Sequence, residues 1–431
     1  MNSIWNDTAE LPSFPKVEGS LSTDVLIIGG GIAGVLCAYR LKQLGIDYIL
    51  VEAEKICKKT TVNTTAKISS LHGLIYQDII KSKGLNFAKL YYQANQEAIA
   101  IFRSLSKEID CNFEEKSAYI FTDSNASKIK KEVHALQSIG ANATLEKRLD
   151  IPFSYICGVR LEDQAQYNPI KFLSAISSNL NIYENSRVTD IYDGCVKVNG
   201  HTIKAKKIIV TTHFPIYNKH GMYFLKMYQH RSYAIAIKTD RKFDGMYLND
   251  TEYGLSLRTY KDMVILGGEG HRTGKSSYAW QGLINIADKY FPGNTVASQW
   301  ATQDCMTLDK IPYIGQYSKS TPNLYVATGF NKWGMTSSMI ASYLLGDLIL
   351  GKKNKYEVLF SPNRSMLKPQ LLVNSFETIL GYASFKKKRC SHLGCALKWN
   401  KHEHTWDCPC HGSRYTENGT LIEGPANTNL K

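Results

Sequence analysis

Near the C-terminus, Cys390-x-His392 and Cys408-x-x-His411 offer two thiols and two imidazoles, with fifteen residues between the pairs. Donors of these types, paired on two short loops, suit a borderline-soft metal, and by count alone they could hold tetrahedral zinc. Two more cysteines, Cys395 and Cys410, fall inside the same loops, where Gly394 and Gly412 allow tight turns. The remaining six cysteines (Cys37, Cys57, Cys111, Cys157, Cys195, Cys305) stand apart from one another and read as buried free thiols.

A second set of residues points to a phosphate-bearing ligand. The apolar run Val25–Ile28 meets Gly29-Gly30-Gly31-Ile32-Ala33-Gly34, then apolar residues at helical spacing as far as Leu44, and then Tyr48–Val51 ending on Glu52. Strand, glycine turn, helix, strand and acid in this order form a dinucleotide-binding unit. Gly29 permits the turn, Gly31 lets a pyrophosphate approach the backbone, and Gly34 lets helix and sheet pack. The helix N-terminus supplies N–H groups and positive dipole, and Glu52 can accept ribose hydroxyls. FAD and NAD both fit this unit, although no second glycine fingerprint follows a later strand. The polar stretch Thr60 to Lys67, including Thr61, is suited to run beside the cofactor. The strand Leu324–Thr328 leads through Gly329 and Trp333 to Gly334, Met335 and Thr336, where a long helix begins and aims a second N-terminus at the ligand.

On these elements the chain resembles the D-amino-acid oxidase and glycine oxidase superfamily of FAD enzymes from about residue 20 to 350. The resemblance implies FAD, with the late glycine-helix element on the pyrimidine side of the flavin and Val188 contacting adenine through its main chain. It extends to the segment Asp309–Gly315 and the strand Ile208–Thr212. The C-terminal pattern, with His411-Gly412-Ser413 followed by Arg414-Tyr415, resembles the Rieske 2Fe-2S centre. There two Cys hold one iron and two His the other, which implies Cys390, His392, Cys408 and His411 as ligands. It also implies a Cys395–Cys410 disulfide, with Ser413 and Tyr415 donating hydrogen bonds to sulfur. The departure from that pattern is brevity: about forty-five residues are few for a self-sufficient β domain, so the module either is stapled by its metal and disulfide or borrows core from the flavin domain.

The expected fold is α/β with added β. It comprises a Rossmann-like FAD-binding domain in segments 20–85, 146–215 and 305–351, and an antiparallel β substrate domain in 86–145 and 216–304. A linker, 352–384, carries a helix-like stretch from Gln370 to Tyr382 into the iron-sulfur module at 385–431. With 43% hydrophobic residues the 431-residue chain reads as globular, and no signal core or membrane span is legible, so a cytoplasmic protein is expected. The formal charge of +14 is spread along the chain and does not point to nucleic acid. The one tight basic run, Lys386 to Arg389, reads as a solvated linker or as a patch steering an acidic electron carrier.

Joining the two halves gives a dehydrogenase for a small amine, amino acid or hydroxy acid, its electrons leaving singly through the cluster to an unknown acceptor. The alternative is a redox module without turnover. An oxygenase would need a mononuclear iron site, and His213 and His220, with no acid between them, do not supply one. The candidate catalytic residues are Lys67 near the flavin, Trp333 (with Lys332) at its pyrimidine end, and Arg258 as a carboxylate binder. His72 is expected to have a local hydrogen-bonding role.

Overall fold

The computed structural model describes every residue except Met1, Asp193, Asn218, Glu252, Ser276, Ser277, Phe385, Lys386 and Lys431. Lys386, the first of the basic run, therefore lies outside the described residues.

Among the described residues, three sheets organise the chain. In the first, Leu21–Ile28 pairs in parallel with Tyr48–Val51 on one side and His201–Val210 on the other. Leu324–Thr328 continues the parallel order beyond His201–Val210, and Tyr313–Gln316 closes that edge antiparallel. Helices on its face bury these strands, which explains their continuous apolar runs. The helix Ile32–Gln43 packs against the late helix Gly334–Ile349, which in turn packs against Leu85–Leu105. At the first turn Gly29 has φ +109°, and a Cβ at Gly34 would run into the Gly29 carbonyl oxygen, so both glycines are required.

The second sheet is antiparallel except where Met246–Asn249 runs parallel to Glu114–Thr122. Its long strand Met227–Lys238 pairs with Met263–Arg272 and with Thr295–Thr307. Side chains alternate along it. Tyr228, His230, Ser232 and Ala234 line a cavity between the sheets. On the other face Ile235 and Ile237 pack under the helix Ala279–Tyr290, while Gln229 and Arg231 reach the C-terminal module. Two expected boundaries shift: Lys67–Ile68 and Cys157–Gln166, placed with the nucleotide unit, pair with each other in this second sheet. Strand-length apolar runs mark strands but do not say which sheet they join.

The third sheet is small and antiparallel, in the order Lys398–Asn400, Thr405–Asp407, Arg414–Thr416, Leu421–Glu423. Among the described residues its buried core is Cys390, Cys395, Leu397, Cys408, Cys410, Tyr415 and Ala426, with Trp406, Leu421 and Leu430 half-buried against it, a small core for an independent domain. The module is instead clamped to the large sheet. Arg231 pairs with Glu403 and with Glu423 (3.1 Å), while Arg414 binds Glu403 (2.8 Å), Glu423 (3.1 Å) and Asp407 (3.0 Å). Gln303 donates to the Gly412 carbonyl, Arg272 to that of Pro409, and a Cβ at Gly412 would collide with Gln229. The segment expected to be a linker contains the helix Pro369–Ala383, which contacts this module directly. A Cβ at Gly381 would lie 2.6 Å from Cys410 Sγ, and Ala396 N–H donates to the Gly381 carbonyl. Among the described residues, no helix is long and apolar enough to cross a membrane.

Arg231 and Glu403 have side chains only 6% and 8% exposed, so removing one partner strands buried charge. Arg231→Met should cost about 3 kcal/mol, measured as a lower Tm and as earlier proteolytic release of the C-terminal module. The paired arginines hold Glu403 down at about 2 against its burial. Its stabilising contribution is therefore complete above the ordinary glutamate range near 4.5 and is lost as pH falls towards 2. Acid titration followed by limited proteolysis should show the module loosening in that window.

Candidate functional site

One cavity of about 830 Å³ gathers most of the expected nucleotide residues: Gly29, Gly31, Glu52, Thr60, Thr61, Val188, Gly329, Gly334 and Met335 all line it. Gly34 lies behind the turn, as its packing role requires. Thr336 also stands behind the wall, its hydroxyl donating to the Ser69 carbonyl at 3.3 Å. Glu52 accepts from Gly30 N–H (2.7 Å) and Glu54 N–H (3.0 Å), so its carboxylate is fixed at the cavity by the turn itself. Thr61 Oγ1 accepts from Ile32 N–H at 3.0 Å and caps the first turn of the helix.

At the other end of the cavity Trp333 stacks on His72, with centroids 4.7 Å apart and planes within 17°. The Ser69 carbonyl can only accept, so His72 Nε2 carries the proton and donates to it (2.6 Å), leaving Nδ1 to accept from the Tyr91 hydroxyl (2.8 Å). Burial lowers the His72 pKa to about 3, so the ring is neutral and supports Trp333 by stacking. Lys67 faces the cavity but is otherwise enclosed by protein, and its ammonium donates to the Tyr247 carbonyl (3.2 Å). Desolvation, with the Arg258 charge second, brings its pKa down to about 7.

Arg258 is a correction. It is fully buried, with Trp5 at 5.3 Å and Tyr260 at 5.8 Å from its guanidinium carbon, and it does not line the cavity. It shares a strand face with Ser256, which does line the cavity, but the N-terminal Trp5 packs over that stretch. His213 lines the cavity, whereas His220 bonds Ser320 elsewhere, so the two do not form a pair.

Several cavity residues escaped the sequence reading. His230 presents an Nδ1 without a hydrogen-bond partner among the described residues, and burial, then the Lys332 charge, holds the ring neutral. Burial pushes the Asp304 carboxyl up against the opposing pull of the Lys332 ammonium, which itself donates to Ser232 (3.0 Å). Alternation along Met227–Lys238 and Thr295–Thr307 was the available signal, but either face could have been the inner one.

In the C-terminal module the structure brings Cys390, His392, Cys408 and His411 together. The imidazoles stand 5.1 Å apart at 88°, and all four of their ring nitrogens are buried without a hydrogen-bond partner among the described residues. Desolvation keeps both rings neutral, at about 4 and about 3. Hydrogen bonding from Cys408, then from Tyr415 and Ser413, pushes the Cys390 thiol down despite burial. Cys395 and Cys410 are joined in a disulfide. Although their sulfurs lie close to that of Cys408, they are spent on each other and offer no thiolate to a metal.

Residues 24–348 match the family described as FAD dependent oxidoreductase, and residues 377–431 match the Rieske [2Fe-2S] domain. The chain belongs to the FAD-dependent oxidoreductase family. YhfW of Bacillus subtilis (strain 168), which is described by likeness as a Rieske 2Fe-2S iron-sulfur protein, is 36% identical over 492 aligned positions, covering all of this chain and 97% of its own. Glycine oxidase from Geobacillus kaustophilus superposes with a TM-score of 0.68 at 15% identity, over 80% of this chain and 99% of its own. L-proline dehydrogenase from P. horikoshii does so with a TM-score of 0.68 at 17% identity, over 80% and 98%. At these identities the two structures show the fold.

The cofactors of this FAD-dependent oxidoreductase are FAD and a Rieske-type 2Fe-2S cluster, and the residues present fit both. Two neutral imidazoles with buried ring nitrogens, beside two thiols, are a donor set that suits a two-iron cluster with two Cys and two His ligands. The glycine-lined cavity runs from Glu52 to Trp333 and is of ligand-binding size. The iron-sulfur module also walls this cavity through Leu421 to Gly424, Ala426 and Asn427. Phe214 lines the cavity and meets the His392 ring edge-on at 6.2 Å, while Phe224 meets His411 at the same distance. The basic run makes a poor steering patch: Arg389 donates to the carbonyls of Gly381, Tyr382, Ser384 and Gly394, and Lys388 lies over Trp406.

Cys408→Ser and His411→Ala should each bring iron from about two atoms per chain to a small fraction of that while leaving the flavin absorbance intact. Metal analysis and visible spectroscopy check this; one zinc per wild-type chain would refute the ligand set.

Proposed function

We propose that the protein is a dehydrogenase that oxidises a small amine, amino acid or hydroxy acid and delivers the electrons one at a time to a separate acceptor. The observation that carries this reading is Phe214, one residue that both walls the cavity and faces the His392 imidazole edge-on, with ring centroids 6.2 Å apart. When bound, FAD supplies a two-electron acceptor and the cluster a one-electron acceptor.

In this reading Gly29, Gly31, Glu52, Thr60, Thr61, Val188, Gly329, Gly334 and Met335 hold FAD, with Gly34 and Thr336 supporting that cradle. Cys390, His392, Cys408 and His411 hold the irons. The substrate lies between Trp333 and the strand face bearing Tyr228, His230 and Ser232, where Lys332 and Asp304 offer charge to orient it. Lys67, neutral above about pH 7, takes the proton from the substrate nitrogen or oxygen at its Nζ. Amino acids are the favoured substrate class, since glycine and proline appear in the names of the structural neighbours. The acceptor is a small carrier or protein outside this chain.

Anaerobic addition of amino acids, N-methyl amines and hydroxy acids in turn should find a compound that bleaches the flavin and produces the paramagnetic signal of the reduced cluster. In Cys408→Ser the bleaching should remain and the signal vanish. Bleaching only by a protein reductant would favour a redox module without turnover. The rate of bleaching should rise with pH through about 7 and then level off. Lys67→Met should remove this rise and slow the reaction by roughly a hundredfold; an unchanged profile in stopped-flow would rule out Lys67 as the base.

A further inference from the structure

The helix Pro369–Ala383 has its amphipathicity turned inside out. The face against the protein carries Asn374, Glu377 and Gly381. Asn374 accepts from Arg272 (2.9 Å), Glu377 pairs with Lys275 (3.3 Å), and Gly381 packs on the disulfide. The outward face carries Leu372, Val373, Phe376, Ile379 and Leu380, which at 3.6 residues per turn form one continuous stripe. They are 75%, 49%, 61%, 63% and 50% exposed, and Leu367, just before the helix, is 85% exposed. Single exposed apolar side chains are ordinary, but a contiguous row of this size on an ordered helix marks a surface that something else covers.

We infer that this face docks on an anionic membrane surface, with the helix lying flat in the headgroup region. Fifteen residues are too few to span a bilayer but enough for an interfacial helix. The helix is bracketed by cations, Lys368 before it and Lys387, which is exposed, after it, on a chain of net charge +14. Its one carboxylate, Glu377, is turned inward to Lys275. A second copy of this chain fits poorly. Antiparallel pairing of two such helices sets Lys368 of each against Lys387 of the other, and parallel pairing sets like on like. A convex row of side chains also needs no complementary groove when it enters a fluid apolar phase. The inference rests on this helix and its flanks and is independent of the redox reading.

The test uses the full-length holoprotein in flotation with phosphatidylcholine vesicles containing about 30% phosphatidylglycerol and with pure phosphatidylcholine vesicles. Sedimentation velocity without lipid runs in parallel. Binding should favour the anionic vesicles and weaken with added salt. F376E/I379E, whose side chains face solvent, should keep its flavin spectrum and Tm while its bound fraction falls at least about tenfold. K368E/K387E should lose most of the preference for anionic vesicles. Absence of flotation, equal flotation of F376E/I379E, or equal binding to both vesicle types overturns the inference. So does a monomer–dimer equilibrium that F376E/I379E abolishes, which would give the face to a second copy.

Discussion

At the seam between the large sheet and the C-terminal module, two arginines share two carboxylates out of water. Arg231 comes from the sheet and Arg414, Glu403 and Glu423 from the module. Desolvating four charges is costly, and the mutual attraction repays it only when each finds its partners in the right geometry. Such a network adds little net stability compared with apolar packing but tolerates few other arrangements of the two surfaces. The position of the module follows from that constraint, and so does everything the module does to the cavity.

Seven buried core side chains among the described residues, four of them cysteines, would leave the module marginal alone. Docking replaces the missing core with the outer face of the Met227–Lys238 strand, through Gln229 and Arg231, and with the inner face of the helix Pro369–Ala383. The disulfide between the two ligand loops then lies under Gly381, where only a residue without a side chain fits. A small metal-binding sheet is thereby held by elements on both sides, and its histidine edge faces Phe214 and Phe224 of the flavin body instead of solvent.

The same strand organises the chemistry. One of its faces carries Tyr228, His230 and Ser232 into the cavity, while the opposite face carries Arg231 to the iron-sulfur module. Period-two alternation thus ties the cavity wall and the module seam to one backbone, so a shift in its register would misplace both.

The linear chain by itself determined the nucleotide turn, the acid at Glu52, the late glycine-helix element and the placing of Cys390 and His392, and of Cys408 and His411, as close pairs. Each of these depends on spacing within a few residues, on apolar periodicity or on glycine geometry, all of which are local properties. Tertiary structure alone decided that Arg258 lies beneath Trp5 outside the cavity, that Cys157–Gln166 joins the second sheet, and that His230 and Asp304 face the cavity. It also decided that Phe214 joins cavity to cluster and that Arg231 meets Glu403 from 172 residues away. The reason is that strand pairing and burial are contacts between segments remote in sequence, and alternation along one strand does not say which of its faces another part of the chain will cover.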